Sequence, residues 1–372
     1  SRTFPSDSMV DQGRLGGVLR QNLEQQIQAP EFPRGADWLN VDSPLTMAAL
    51  RGKIVLLDFW TFCCINCMHV IPELKRLEER YPMELVVVGV HSAKFANEKT
   101  TEQVRQSVLR YEVVHPVVND TKFILWNAYG VRAWPTLALI DPEGHVVLQT
   151  SGEGQGPLLD AAMQWLIQHH EPRGTLDRRP VSLRPETLDV QDSALRFPGK
   201  ILVNDQRLFI ADSNHHQIAI ADLAGQLIER VGRGTAGARD GPFEEAEFHH
   251  PQGLALDGDR LFVADTDNHL IREVHLTNRT VRTIAGTGRQ GHVLHQEAPA
   301  RTTALNSPWD LVVVDDTVYI AMAGAHQIWS LDPRRGVLNR YAGSGQEQIT
   351  DGPLVHAWHA RKPVLAAAKR EH

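Results

Sequence analysis

The sequence predicts two domains of different fold class within 372 residues: an α/β domain and, after it, an all-β domain of the β-propeller type. Between about residues 53 and 169, short apolar runs alternate with segments of helical spacing. Beyond residue 190, blocks of similar sequence recur at a period of more than 50 residues. Residues 171–186, rich in proline and charge, separate the two patterns and are typical of an interdomain linker.

The elements of the α/β domain follow one another in regular order. Short apolar runs predict strands at 54–57, 85–90, 117–118, 137–140 and 146–148. Helical spacing predicts helices at 17–28, 67–81, 101–110, 125–129 and 158–169. The turn residues Asp141 to Gly144 join the last two strands into a hairpin. This order predicts helices that cover a mixed sheet.

The second domain is predicted from three markers that keep the same spacing. The segments LFIADSNHHQI, LFVADTDNHLI and VYIAMAGAHQI begin at Leu208, Leu261 and Val318. Their equivalent alanines are 53 and 57 residues apart, as are the prolines Pro198, Pro251 and Pro308. Glycine pairs recur in step with them, and each unit holds several short β runs. One sheet per repeat is the pattern of a propeller.

Composition and charge exclude several classes of partner. The formal charge is −7 and no long basic run occurs, so neither nucleic acid nor an anionic membrane is an expected partner. No apolar run has the roughly 18 residues of a membrane helix. The first thirty residues lack the apolar region of a signal peptide, which favours a cytoplasmic location.

The three cysteines, Cys63, Cys64 and Cys67, lie within five residues, so they indicate local chemistry and no disulfide framework. Cys64 comes at the start of a helix, where backbone N–H groups and the helix dipole favour a thiolate. Cys67 is one turn further on, placed to attack a mixed disulfide. Asp58, acidic within an apolar strand, is expected to have a raised pKa and to accept the proton of Cys67. The alternative is a strand-end carboxyl bonded to the backbone.

The motif DFWTFCCINC resembles the thioredoxin family, in particular its bacterial thiol-disulfide branch, over about residues 32–170. Cys64, Cys67 and Asp58 match the family's redox cysteines and buried acid, and Pro72 matches a proline of its first long helix. Pro135 matches its cis-proline, which implies a cis bond beside Cys64; an ordinary trans turn is the alternative.

The same resemblance implies a substrate-binding face around the cysteines. It consists of Trp60, Ile65, Asn66, Trp134 and Pro135. The dipeptide Ile65-Asn66 departs from the family's usual Gly-Pro, and Cys63 stands where tryptophan is usual.

The repeats resemble NHL repeats, and the second contains Asn268, His269 and Leu270 in sequence. A thioredoxin-like domain before an NHL propeller is the arrangement of the NHL-repeat-containing protein 2 family, which the chain resembles. The boundaries expected are 1–31 for a polar helical segment, 32–170 for the thioredoxin-like domain, 171–189 for the linker, 190–352 for the propeller blades and 353–372 for a tail.

Two thiol assignments stay open at this level. Cys63 is a buried inert thiol, a third redox thiol or half of a strained vicinal disulfide with Cys64. His69 follows the cysteines closely enough to suggest zinc, but no second ligand pair has zinc-finger spacing. No metal and no cofactor are therefore expected.

The propeller histidines and aspartates are expected to be structural. His216, His269 and His326 share one repeat position, as do Asp212 and Asp265, so they would lie at equivalent places in different blades. Only three repeats are complete, and a fourth begins at Asp351. The open face of the blades predicts either poor order beyond that point or self-association.

Two functions follow. The first is a thiol-disulfide oxidoreductase or redox sensor, with a protein thiol or disulfide as substrate and a partner bound by the propeller. The second is a non-catalytic interaction scaffold, because a thioredoxin-like fold does not by itself imply catalysis.

Overall fold

A computed structural model describes residues 10–186 and 193–346 of the chain. The chain divides into two compact units, residues 1–189 and 190–372. Among the described residues, no helix has both the length and the apolar character needed to cross a bilayer. The predicted fourth blade, from Asp351, and the tail at 353–372 lie outside the described residues.

The first unit is a six-stranded mixed sheet with helices packed on it. Its helices are α1 (Gln12–Gln25), α2 (Ile65–Arg80), α3 (Thr101–Arg110), α4 (Ile124–Ala128) and α5 (Gly156–His170). Its strands are β1 (Trp38–Leu39), β2 (Ile54–Trp60), β3 (Leu85–His91), β4 (Val117–Asn119), β5 (Thr136–Ile140) and β6 (Val146–Ser151). The order in the sheet is β1-β4-β3-β2-β5-β6, in which β2 pairs parallel with β3 and antiparallel with β5. This is the predicted α/β fold.

The central strand β2 is longer than its apolar run predicts. All seven of its residues are buried, including Asp58. The apolar run itself ends at Leu57, whereas the sheet continues on both sides of Asp58 and the strand reaches Trp60. The extension places the thiol segment directly at the carboxyl end of the strand.

Helix α1 begins earlier than predicted and belongs to the first unit. Asp11 caps it by accepting a hydrogen bond from the backbone N–H of Arg14 at 3.0 Å. Leu15 and Leu19 are buried in the sheet–helix core with residues of α2 and α5. A helix of mainly polar composition can pack on the domain in this way, because one apolar face is sufficient for burial against the core.

The charged segment that follows α5 lies along the same unit. Lys53 donates to the backbone oxygen of Arg179 at 2.6 Å, and the backbone N–H of Glu186 donates to Asn40 at 2.6 Å. The N–H of Asp177 bonds to the carbonyl of Gly52 at 2.9 Å. Residues 171–186 thus contact the rest of the first unit through hydrogen bonds, which compositional reasoning about linkers does not reveal.

Between residues 193 and 346, the second unit contains three antiparallel sheets, one for each repeat. The first sheet is β7 (Ile201–Val203), β8 (Arg207–Asp212), β9 (Gln217–Asp222) and β10 (Leu227–Val231). The second is β11 (Gly241–Pro242), β12 (Pro251–Asp257), β13 (Arg260–Asp265), β14 (Leu270–His275) and β15 (Thr280–Ala285). The third is β16 (Ala298–Pro299), β17 (Pro308–Val314), β18 (Thr317–Met322), β19 (Gln327–Asp332) and β20 (Val337–Ala342). The architecture is propeller-like, as the repeats predict.

The repeated histidines join consecutive repeats. His216 Nδ1 accepts the backbone N–H of His250 at 3.2 Å, and His269 Nδ1 accepts that of Ser307 at 2.9 Å. Both histidines have positive φ, as does His326. The structural interpretation of this position is confirmed for the first two repeats.

The repeated aspartates hold the chain that leads into each sheet. Asp212 accepts the backbone N–H of Arg196 at 2.7 Å, and Asp265 accepts that of His249 at 2.8 Å. In the third repeat, the sulfur of Met322 accepts the N–H of Asn306 at 3.3 Å. The hydrogen bond therefore survives the replacement of aspartate.

Candidate functional site: a dithiol at the start of helix α2

Cys64 is the N-cap of α2, a position in which its sulfur meets the unpaired N–H groups of the helix. The backbone N–H of Cys67 donates to Cys64 Sγ at 3.3 Å. The positive end of the helix dipole acts on the same sulfur, and both effects favour negative charge there. No disulfide joins any of the three cysteines, all of which lie in the described part of the chain.

Cys67 is the more deeply buried thiol of the pair. It is 0% exposed, against 4% for Cys64. Burial raises the pKa of Cys67 well above its ordinary value, and the negative charges of Cys64 and Asp58 raise it further. Cys67 is thus a thiol that must lose its proton before it can attack.

Asp58 lies on β2 beneath the dithiol, close enough for its charge to act on Cys67. It is 1% exposed, and burial raises its pKa to about 7; the charge of His115 acts in the opposite direction. Its Oδ1 has no hydrogen-bond partner within the described residues. A carboxyl that titrates near neutrality beside a buried thiol can take up and release that thiol's proton.

The buried His115 and the half-buried Glu78 extend this group of titratable side chains, and sequence reasoning missed both. His115 is 3% exposed, and its Nδ1 lies 3.4 Å from the carboxylate of Glu78 on α2. Gly89, opposite Asp58 on β3, leaves room for the neighbouring rings: a Cβ there would lie 3.0 Å from Trp60 Nε1 and 3.5 Å from His115 Nε2. These residues are far apart in sequence, so only the pairing of β3 with β2 on one side and β4 on the other brings them together.

Cys63 is partly exposed and is held in its protonated form. Its pKa is raised to about 12, chiefly by burial and then by its hydrogen bond to Glu98. Glu98 is itself buried, and it accepts bonds from Thr61 Oγ1 at 2.5 Å and from the backbone N–H of Lys94 at 3.1 Å. Of the alternatives open from the sequence, the structure favours an unreactive thiol at neutral pH and contains no vicinal disulfide.

Trp60 occupies the core beneath the dithiol, although it was expected on the substrate face. It is 1% exposed and packs in one cluster with Cys64 and Cys67. Its ring meets His91 edge-on at 5.3 Å. As the last residue of β2 it is covered by neighbouring elements, so in this structure it supports the site and does not reach its surface.

Trp134 and Pro135 lie beside the dithiol. The peptide bond between them is cis, as the resemblance implies. Trp134 is half-buried; its Nε1–H donates to the backbone oxygen of Ser92 at 2.8 Å and its ring packs against the cluster that contains Cys64. Ile65 is buried, whereas Asn66 is half-buried in the first turn of α2. Trp134 and Asn66 are therefore the two predicted contact residues with side chains partly open to solvent.

His69 pairs with a carboxylate. Its Nδ1 contacts Glu153, which belongs to the loop between β6 and α5. Within the described residues, the groups of His, Cys, Asp and Glu that could share an ion include none of the cysteines. The zinc alternative at the CxxC therefore has no geometric support.

Comparison with known families matches both units. A thioredoxin-like family model matches residues 52–146, and an NHL repeat model matches residues 248–273. The first match contains the dithiol and Asp58, and the second contains the repeated aspartate and histidine. Fold and site define a class: a redox-related protein of thioredoxin fold that carries a repeat domain.

Similar proteins narrow the class. NHL repeat-containing protein 2 of Gallus gallus is 38% identical over 373 residues, which cover 94% of this chain and 51% of that protein. Protein SUPPRESSOR OF QUENCHING 1, chloroplastic, of Arabidopsis thaliana is 44% identical over 343 residues, which cover 89% of this chain and 32% of that protein. Thioredoxin-like protein YneN of Bacillus subtilis is 36% identical over 123 residues, which cover 33% of this chain and 68% of that protein. Over almost all of its length, the chain is similar to NHL repeat-containing protein 2. The chain spans about half the length of NHL repeat-containing protein 2 and about a third of the length of the plant protein.

Proposed function

We propose that this chain is a thiol-disulfide oxidoreductase that acts on protein disulfides. The observation that carries the proposal is the N-cap geometry of Cys64, whose sulfur accepts the N–H of Cys67 at 3.3 Å while the deeper thiol lies beside Asp58. One sulfur is thereby favoured as the attacking thiolate. The other is kept protonated until a base removes its proton.

The reaction would run in two balanced steps. Cys64 Sγ⁻ attacks one sulfur of a substrate disulfide, which forms a mixed disulfide and releases the other substrate sulfur as a thiolate that takes up a proton. Asp58 then accepts the proton of Cys67, and Cys67 Sγ attacks Cys64 Sγ. The second substrate sulfur leaves as a thiolate that takes up a proton, so the substrate gains two electrons and two protons and the chain ends with a Cys64–Cys67 disulfide.

Substrate would approach over Trp134 and Asn66, the partly exposed residues beside the dithiol. The NHL-type unit would bind a protein partner and so select which disulfide is presented. This role rests on the general use of such repeats in protein–protein contacts.

A single-turnover assay tests the proposal. The reduced chain is mixed with a peptide that carries one disulfide, and released peptide thiol is counted. We expect one disulfide reduced per chain for the natural sequence and for the matched control Cys63→Ser, and none for Cys64→Ser. Unchanged reduction by Cys64→Ser would disprove the assignment.

The alternative function is an interaction scaffold with an inactive dithiol. The observation in its favour is the low exposure of Cys64, 4%. Mass spectrometry of alkylated protein, with and without prior oxidation by a small disulfide, separates the two functions: a dithiol that never forms a Cys64–Cys67 bond indicates the scaffold.

A further inference from the structure

Three chemistry-bearing side chains meet at the opposite end of the sheet from the dithiol. Asp141 and Glu143 lie in the turn between β5 and β6, and His170 is the last residue of α5. Because β5 runs antiparallel to β2, with Ile140 beside Val55, this turn lies at the amino end of β2, whereas the thiols follow its carboxyl end. The group, called here the turn cluster, is therefore separate from the proposed redox site.

The members of the turn cluster differ in exposure in a way that suits a built site. The side chains of Asp141 and His170 are both 0% exposed, while Glu143 is exposed. One ligand atom from each of the three lies within 4.8 Å of the others. Two buried ligands thus fix the site, and one exposed ligand leaves it open to solvent.

The hydrogen bonds of His170 favour the tautomer that carries its proton on Nδ1. Thr175 Oγ1 lies 2.8 Å from His170 Nδ1 and 3.3 Å from the backbone oxygen of His170. The hydroxyl donates to that carbonyl, so it accepts from Nδ1–H, and Nε2 is left with its lone pair. Nε2 is buried and has no hydrogen-bond partner among the described residues.

This lone pair faces a carboxylate. His170 Nε2 lies 3.7 Å from Asp141 Oδ2, too far for a hydrogen bond. Asp141 Oδ1 already accepts the backbone N–H groups of Glu143 at 3.1 Å and His145 at 2.7 Å, which holds the carboxylate in place. Two acceptors that face each other in a buried space repel unless a cation lies between them.

The spacing and the donor types fit a zinc-type ion. Bonds of about 2.0–2.1 Å to nitrogen and oxygen set the ligand atoms of a tetrahedral Zn²⁺ roughly 3.4 Å apart, close to the 3.7 Å observed. One imidazole and two carboxylates are ligands that such ions accept. His145 Nδ1, 3.3 Å from the same oxygen of Asp141, or a water molecule can take the fourth position.

We propose that Asp141, Glu143 and His170 bind a divalent transition-metal ion of the zinc class, which joins the β5–β6 turn to the end of α5. Thr175 orients His170 from behind, as an outer partner of a metal-ligating histidine does. Nothing in the sequence motif of the dithiol points to this site, because its ligands are split between a turn and a helix end 27 residues further on.

Metal binding to the full chain tests the proposal. All three cysteines are replaced by serine so that thiols take up no metal, and bound Zn²⁺ is counted by mass spectrometry after equilibrium dialysis. Co²⁺ added in its place reports the coordination through its visible absorption. We expect Glu143→Gln to lose one equivalent of Zn²⁺ relative to the serine background, and Thr175→Val to weaken binding about 10–100-fold.

The matched control lies in the other unit. His249, His250 and Asp267 also come close enough to share an ion, so His249→Gln/His250→Gln removes that cluster while the turn cluster stays intact. The proposal requires that the equivalent lost in Glu143→Gln is retained in this control. The proposal would be overturned if the chain with all three cysteines replaced by serine bound no Zn²⁺, or if Glu143→Gln bound as much Zn²⁺ per chain as that protein. Because Glu143 is exposed, Glu143→Gln tests metal binding in a folded chain even where His170→Gln fails to fold.

Discussion

The backbone N–H of Cys67 donates a hydrogen bond to Cys64 Sγ at 3.3 Å, so the two cysteines are linked before any disulfide forms. This contact makes Cys64 the cap of α2 and places Cys67 in the first helical turn. The same geometry gives the two sulfurs different surroundings, because the cap sulfur meets helix N–H groups while Cys67 is buried against β2.

Asp58→Asn should stabilise the first unit above neutral pH. The pKa of Asp58 is raised from 3.8 to about 7, so between these values the folded chain binds more protons than the unfolded chain and stability falls as pH rises. The variant lacks this loss, which corresponds to on the order of 4 kcal/mol at pH 8 and vanishes below the ordinary pKa. Hydrogen exchange of β2 peptides at a series of pH values measures the difference.

The control for this variant is Glu79→Gln, which removes an exposed carboxyl from α2. It should leave the pH profile of β2 protection unchanged. Equal protection of Asp58→Asn and the natural chain at pH 8 would show that Asp58 is not a destabilised buried carboxylate.

Glu98→Gln should make Cys63 more reactive. The bond to Glu98 and its charge help to hold the pKa of Cys63 near 12, so their loss lowers that pKa and raises the thiolate fraction about tenfold for each unit. Alkylation at about pH 8.5, followed by peptide mass spectrometry, measures the rate at which the Cys63 thiol reacts. Glu102→Gln, an exposed carboxyl on α3, is the control; equal Cys63 rates in both variants would refute the role of Glu98.

Gly89→Ala should destabilise the first unit by about 1–3 kcal/mol, because its Cβ would meet Trp60 Nε1 at 3.0 Å and Val117 Cγ2 at 3.1 Å. Gly17→Ala is the matched control: nothing lies within 4 Å of its Cβ, and it sits inside α1. That change should stabilise by roughly 0.5–1 kcal/mol. Hydrogen exchange at increasing denaturant concentration gives both changes in the free energy of unfolding. An unchanged free energy in Gly89→Ala would mean that β3 packs loosely at this position.

Arg272→Ala should destabilise the second unit by about 3–5 kcal/mol. Arg272 is fully buried and donates to Asp265 at 2.8 Å and to Asp240 at 2.8 Å, so its loss leaves an unpaired buried carboxylate. Arg282→Ala removes a 66% exposed arginine bonded to Glu273 and should cost about 1 kcal/mol or less. Similar losses in the two variants, measured by protection of β14 peptides, would contradict the account.

The sequence predicts best what is local along the chain. Cys64, Cys67 and Asp58 lie within ten residues, and one strand–helix connection places all three. The cis bond before Pro135 was also predicted, because a short motif carries it. Period and spacing likewise predict the repeats, since each sheet is built from neighbouring strands.

What the sequence could not predict depends on contacts between distant segments. His115 and Glu98 enter the site from the connections around β4 and α3, and neither belongs to a motif. Trp60 was expected at the surface because sequence does not show which elements cover a strand end. The turn cluster stayed hidden for the same reason, since His170 reaches Asp141 only after α5 has packed on the sheet.

The most direct test of the proposed redox function is to trap its intermediate with Cys67→Ser. Reduced variant protein is mixed with a disulfide peptide, and the products are analysed by mass spectrometry without reductant. We expect a stable mixed disulfide at Cys64, absent from Cys64→Ser and short-lived in Cys63→Ser. A mixed disulfide at Cys63, or none at Cys64, would contradict this expectation.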